Sequence, residues 1–302
     1  VAAQQPLDGR RQDTIGFCAG GAKLSRSDIV DIIVDNRNVI HGVYTDVDNC
    51  GLRRSSTPRN SMQKALRLGV LTPSSNTALE PLTSAMAASV PGCSAHFSRF
   101  QVTEISLSAQ ALGQFDDSKI LAAAELLADA KVDVIGWSGT SSGWLGFDAD
   151  RRLVERIRER TGIAATTAVL ALNDLLALRG AKRLALVTPY TADVQRKIVD
   201  NYRDIGIEVV AERHLGIHVN HDFALVEPQR LLALMREVAA ARPDAITTFC
   251  TNLRAAPLAG VVEAELGIPL LDTVSTTVWG QLRAAGADPA QVSGWGQLFG
   301  WR

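Results

Sequence analysis

The chain has 302 residues, 46% hydrophobic and 21% charged, and its 31 lysines and arginines against 32 aspartates and glutamates leave a net charge of −1. Neither sign of charge forms a long block and no apolar run approaches the roughly 18 residues of a membrane span, so nucleic acid and membrane partners are not indicated and a small molecule is the expected ligand. The amino terminus lacks the basic-then-apolar order of a secretory signal, and the four cysteines (Cys18, Cys50, Cys93, Cys250) lack CxxC spacing, which points to a cytoplasmic protein without a zinc site or disulfide framework.

Residues 1–63 mix turn formers and charges around a single apolar stretch, with no sustained period. The chain starts at Val1, and Met62 directly precedes the first regular segment, "QKALRLGVLTP". A poorly structured extension that adds nothing to the core is expected there. From residue 65 short apolar runs alternate with longer amphipathic ones. Strands are predicted at 66–72, 95–102, 132–138, 164–168, 183–188, 207–212, 244–250 and 269–273. Helices are predicted at 78–89, 118–130, 149–161, 170–179, 191–204, 227–241, 255–266 and 275–285. Strands without clean alternation, separated by helices, imply an α/β fold with parallel sheets covered on both faces.

The sequence also repeats itself. "RLGVLTP" (67–73) matches "RLALVTP" (183–189), and "VDVIGWSGTS" (132–141) lies against "PDAITTFCTN" (243–252), with Asp133 on Asp244 and Thr140 on Thr251. Two similar α/β halves are inferred, 64–180 and 181–302, related by a pseudo-twofold axis. The carboxyl ends of their strands should face a shared cleft, where parallel sheets bind ligands.

In this internal alignment Cys250 falls opposite Gly139, and a small polar cluster follows each: "GTSSGW" (139–144) and "CTNLR" (250–254). Two more clusters, "TPSSNT" (72–77) and "TPYTAD" (188–193), follow the paired strands. Hydroxyl, amide and backbone N–H donors at such turns suit a carboxylate or oxyanion. Each serine, threonine or asparagine alone reads as a helix cap, and a lone buried cysteine as a small core residue. Four polar strand ends on one edge with one thiol among them favour a functional Cys250. Trp137 and Trp144 bracket the Gly139 turn, Trp137 as core or pocket wall and Trp144 as a residue that shapes the substrate site. His214, His218 and His221 lack the spacing of a zinc motif. No GxGxxG or GxxxxGK[ST] motif occurs, so no cofactor is expected.

With "GTS" in one half and a cysteine in the other, the doubled α/β plan resembles the aspartate/glutamate racemase superfamily over about residues 64–300, specifically its arylmalonate decarboxylase and maleate isomerase branch. The resemblance implies cofactor-independent chemistry on a small carboxylic acid. Racemases of this superfamily carry a cysteine on each side of the cleft; here Gly139 stands at the first position. The decarboxylase pattern maps onto Gly139, Thr140 and Ser141, with Cys250 as the proton donor and Tyr190 beside an oxyanion site. The maleate isomerase pattern implies a carboxylate-binding asparagine, which maps onto Asn76, and a first-half nucleophilic cysteine, which this chain lacks. Thr251 and Asn252 complete the expected carboxylate-binding set. Arg99 is a further anchor or a surface ion-pair partner.

Decarboxylation of a malonate-type acid is therefore the leading expectation. A maleate isomerase or racemase-like enzyme is the alternative, and a non-catalytic acid-binding protein the reading from another class. Gly139→Cys is expected to restore two thiols and racemase activity. The oligomeric state stays open, with a homodimer among the options.

Overall fold

The computed structural model describes residues 65–115 and 117–302. The N-terminal segment, and Cys18 and Cys50 with it, lies outside the described residues.

The first half runs β1 (Leu66–Pro73), α1 (Leu79–Ala87), β2 (Cys93–Phe100), α2 (Ala109–Leu112), α3 (Asp117–Asp129), β3 (Val134–Trp137), α4 (Ser142–Leu145), α5 (Phe147–Thr161), β4 (Ala164–Thr167) and α6 (Ala168–Leu178). The second runs β5 (Arg183–Thr188), α7 (Ala192–Asp204), β6 (Glu208–His214), α8 (Asn220–Phe223), α9 (Pro228–Ala239), β7 (Ala245–Thr248), α10 (Ala259–Leu266), β8 (Leu270–Asp272) and α11 (Thr273–Ala284). All eight predicted strands and all eight predicted helices are found within a few residues of their expected ends. The one-turn helices α2, α4 and α8 were not foreseen, because four residues are too few to show a period.

Each half holds a four-stranded parallel sheet, in the orders β2-β1-β3-β4 and β6-β5-β7-β8. The central strands β3 and β7 are buried at every position, as expected of parallel strands covered on both faces. The repeat extends to individual hydrogen bonds. Arg67 N–H donates to Asp133 Oδ2 at 2.8 Å, and Asp133 N–H to the Arg67 carbonyl at 2.9 Å. In the second half Arg183 N–H donates to Asp244 Oδ2 at 2.9 Å, and Asp244 N–H to the Arg183 carbonyl at 2.7 Å. The aspartate before each central strand thus holds the first strand of its own half in register, which explains why both sequence copies keep an Asp; the arginines take part through their backbone alone.

The halves interlock through helices that cross the boundary. Nearly all of α11 is buried, although it contains Thr273, Ser275, Thr276 and Thr277. The threonine hydroxyls are tolerated because they bond to carbonyls: Thr277 Oγ1 donates to the Thr273 carbonyl at 2.7 Å, and Thr276 Oγ1 to that of Ala168 in the first half at 2.9 Å, whereas Ser275 Oγ finds no partner among the described residues. From the same helix Gln281 Nε2 donates to the Gly69 carbonyl of β1 at 2.7 Å. In the other direction α4 packs on α7, where Asn201 Nδ2 donates to the Gly143 carbonyl at 2.8 Å. A Cβ on Gly143 would stand 2.4 Å from the Phe249 ring, so glycine sets how closely the two halves approach at that point.

Candidate active site

The carboxyl ends of β1, β3, β5 and β7 converge as expected on one cavity between the halves. Pro73, Val102, Ile105, Phe115, Trp137, Gly139, Thr140, Ser141, Trp144, Tyr190, Asn220, Cys250 and Thr251 line it. It is narrow, with about 20 Å³ of room for the centres of water-sized molecules, enough for little more than one water.

Cys250 lies just beyond β7, buried, and is the one cysteine lining the cavity among the described residues. Asn252 N–H points at its Sγ from 3.4 Å. Burial pushes the thiol up to about 12, against the lowering effect of the Asn252 N–H and of a hydrogen bond from the Tyr190 hydroxyl. At neutral pH the group is a thiol, since loss of solvation penalises the anion more than those donors relieve it. Tyr190 is equally buried and is held well above the usual phenol range, first by burial and then by the neighbouring thiol. Its hydroxyl sits 2.6 Å from Thr140 Oγ1 across the cleft. Thr140, Tyr190 and Cys250 therefore form one chain of exchangeable protons between the two halves. Ser141 opens α4, yet its hydroxyl does not cap that helix and instead lines the cavity.

The other expected carboxylate ligands are engaged differently. Asn76 Oδ1 accepts from the N–H groups of Ala78 and Leu79, each at 3.0 Å, and its Nδ2 donates to Thr251 Oγ1 at 3.3 Å. Thr251 Oγ1 donates to the Ser138 carbonyl at 3.0 Å. Asn252 Oδ1 accepts from Thr77 and Ala78 N–H at 2.9 and 3.2 Å, while its Nδ2 donates to the Asn220 carbonyl at 2.6 Å. These three residues bind the start of α1 to the turn after β7. Arg99 pairs with Glu80 at 2.9 Å and donates to the carbonyls of Ser74 and Asn76, which matches the ion-pair reading.

Gly139 is closely covered by Trp137. A Cβ added there would lie 2.1 Å from Cζ2 and 2.4 Å from Cε2 of Trp137, distances no side chain tolerates. Trp137 is 1% exposed and packs against Phe100, with centroids 5.1 Å apart, so the ring cannot easily step aside. A cysteine at position 139 therefore requires the Trp137 ring to shift. Sequence reading left Trp137 as core or pocket wall; it had no signal for which atoms the ring would cover.

Each half also buries one carboxyl group. Asp150 is pushed up to about 6 by burial, against a hydrogen bond from Thr167, which itself caps α6. Asp272 is likewise pushed up to about 6 by burial, against hydrogen bonds from Thr248 and from the backbone of α11, which it caps. Neither carboxylate stood out in the sequence, because Asp150 lies in the first turn of α5 and Asp272 directly before α11, both common places for an aspartate. The histidines lie elsewhere: His214 bonds to Glu212 at 2.9 Å.

Two parallel α/β halves closing on a single thiol with hydroxyl donors from both sides define the fold class of the aspartate/glutamate racemase superfamily. The sequence model of the arylmalonate decarboxylase family matches residues 80–299. Arylmalonate decarboxylase of Bordetella bronchiseptica is 32% identical over 170 residues, covering 55% of this chain and 70% of that protein. A maleate isomerase of Pseudomonas putida is 28% identical over 250 residues, covering 79% of this chain and 98% of that protein. The crystal structure of maleate isomerase Iso, also from Pseudomonas putida, superposes with a TM-score of 0.72 at 29% identity, covering 78% of this chain and 98% of that one. The chain belongs to the arylmalonate decarboxylase family, in the branch of the superfamily that also contains the maleate isomerases, and is an enzyme of that branch. Among the described residues no helix is long and apolar enough to cross a membrane.

Proposed function

We propose that the enzyme decarboxylates a malonate-type acid without a cofactor, with Cys250 as the proton donor. The bond between the α-carbon and one carboxylate breaks, carbon dioxide leaves, and the electron pair remains as a planar enediolate. Thr140, Ser141 and Tyr190 hold the developing oxyanion by hydrogen bonds. Cys250 Sγ–H then gives its proton to the α-carbon, and the thiolate recovers a proton from solvent. The observation that carries this reading is one buried thiol, held protonated by burial and joined to a hydroxyl pair, with a glycine at the equivalent turn of the other half. Asn76, Thr251 and Asn252 act in this scheme by holding the two sides of the cleft together. The apolar and aromatic lining of Val102, Ile105, Phe115, Trp137 and Trp144 suits the chemistry of an aryl or alkyl substituent, and the narrow cavity has to widen to admit such an acid.

The test is turnover of methylphenylmalonate, with carbon dioxide release and product chirality as readouts. A single enantiomer is expected, carrying one deuterium at the α-carbon when formed in heavy water. Because the thiol is raised to about 12, its protonated form persists throughout the neutral and mildly alkaline range. No loss of rate from thiol ionisation is expected below about pH 10. A rate that falls with an apparent pKa near 8.5, the ordinary thiol value, would overturn the assignment.

Maleate isomerisation is the second reading, favoured by the near-complete coverage of the Pseudomonas putida isomerase. It needs a nucleophile in the first half, where Gly139 stands, or a Cys250 thiolate, which burial disfavours. Conversion of maleate to fumarate without carbon dioxide release would establish it.

A further inference from the structure

The cavity has two unlike walls. Thr140, Tyr190 and Cys250 follow β3, β5 and β7, inner strands of their sheets, whereas Val102, Ile105 and Asn220 lie on chain that leaves the outer strands β2 and β6. There a segment of each half meets the other. Ile105 N–H donates to the His218 carbonyl at 2.9 Å and Asn220 N–H to the Thr103 carbonyl at 3.0 Å, with Glu104 opposite Val219 in an antiparallel bridge. Ser75 adds a side-chain link: its Oγ accepts from Asn220 Nδ2 at 2.8 Å and donates to the Val102 carbonyl at 2.6 Å. Since the cavity holds little more than one water, a wall has to move before an acid can enter, and a two-residue pairing of connections yields before the ends of buried parallel strands do.

Asn252 joins this pair to the thiol. Its Nδ2 donates to the Asn220 carbonyl at 2.6 Å, its Oδ1 accepts from Thr77 and Ala78 N–H in the first half, and its own N–H points at Cys250 Sγ from 3.4 Å. The residue is 1% exposed, so bulk water does not stand in for a bond that it loses. We propose that Asn252 is a positioning residue that ties proton donation by Cys250 to closure of the strand pair. With the pair closed, the amide is held at both ends and the turn keeps Sγ in the cavity wall. When the pair parts, the Asn220 bond breaks and the turn is released on that side. The thiol is then aligned only around an enclosed substrate, where solvent does not compete to protonate the enediolate. This inference rests on the decarboxylase reading above, and the experiment separates the two.

The test uses the full chain with Asn252→Leu, which is similar in volume, uncharged and without either amide bond. Alkylation of Cys250 by iodoacetamide, read from the mass of its peptide, should be about tenfold faster than in the unaltered enzyme, the effect of one hydrogen bond on an opening equilibrium. With methylphenylmalonate kcat should fall about 10- to 10²-fold, the range for a slightly misplaced group, with KM changed far less. The product should lose enantiomeric purity as solvent protonates both faces. A fold defect alone lowers the active fraction and leaves that purity intact. Ser75→Ala weakens the pair without touching Asn252 and should shift alkylation and purity in the same direction by less. A folded Asn252→Leu with unchanged alkylation and a single enantiomer would overturn the proposal and leave the decarboxylase reading intact. If Asn252→Leu does not fold, the same result in Ser75→Ala overturns it. No carbon dioxide release by the unaltered enzyme would overturn the decarboxylase reading, and the role in proton donation with it.

Discussion

The two halves share strand order, register and the Arg–Asp clamp at the start of each sheet, yet they differ at the equivalent turns where the chemistry sits. After β7 the turn carries a thiol in the cavity; after β3 it carries no side chain, and Trp137 folds over it. Duplication supplies a symmetric frame, and a glycine at one turn against a cysteine at the other makes the site one-sided. The two buried carboxyl groups repeat the lesson with exchanged parts. In the first half Thr167 caps a helix and bonds to Asp150, and in the second Asp272 caps a helix and takes a bond from Thr248. The same local need, a cap with a buried polar partner, is met by swapping donor and acceptor.

This contrast can be broken most sharply at the two turns. Cys250→Ala should reduce decarboxylation by about 10² to 10⁴-fold, the range for loss of a general acid, with only a small change in melting temperature because alanine fits a buried cysteine site. Full activity in that variant would remove the asymmetry from the mechanism. Next come the hydroxyls that bridge the halves. Tyr190→Phe and Thr140→Val should each lower kcat by about 10²-fold or more, and the double variant should lose less than the product of the two, since the residues share one hydrogen bond. Strictly multiplicative losses would show that they act separately.

Gly139→Ala tests the other turn and should invert the pattern seen at Cys250. A methyl group forced against Trp137 should cost about 1–3 kcal/mol of stability, visible as a lower denaturation midpoint. Combining it with Trp137→Leu should recover part of the loss. An unchanged midpoint for Gly139→Ala would mean that the ring yields readily.

The smallest effect expected concerns the paired carboxyl groups. Asp150 and Asp272 have folded-state pKa values raised to about 6 from 3.8, so the folded protein binds more protons than the unfolded chain between those limits. Their contribution to stability is fully present below about pH 4 and is lost as pH rises towards 6 and above, by on the order of 1–3 kcal/mol per group. Asp244 and Asp193, whose pKa values are lowered by backbone and hydroxyl donors, lose their contribution only on further acidification below the ordinary carboxylate range. Asp150→Asn should flatten the stability profile between pH 4 and 6. A profile as steep as before would place the titration elsewhere.

The sequence made the doubled α/β plan readable because it depends on patterns that lie along the chain. Buried parallel strands show as apolar runs, and two copies of the same frame share matching residues such as Arg67 with Arg183 and Asp133 with Asp244. The polar strand ends were legible for the same reason, since a strand that stops in serine, threonine or asparagine announces a turn. Cys250 stood out because a thiol was out of place among them. Which polar groups face the cavity was decided only by the tertiary fold. Asn76 and Asn252 have the right chemistry for a carboxylate, but backbone N–H groups of α1, brought over them by packing, use their amide oxygens. Trp137 became part of the site for the converse reason. Its strand position is encoded locally, whereas the placement of its ring over Gly139 depends on a side-chain direction set by Phe100 and the rest of the core. Periodicity and composition report which residues are buried; they do not report what each buried atom touches, and an active site consists of those contacts.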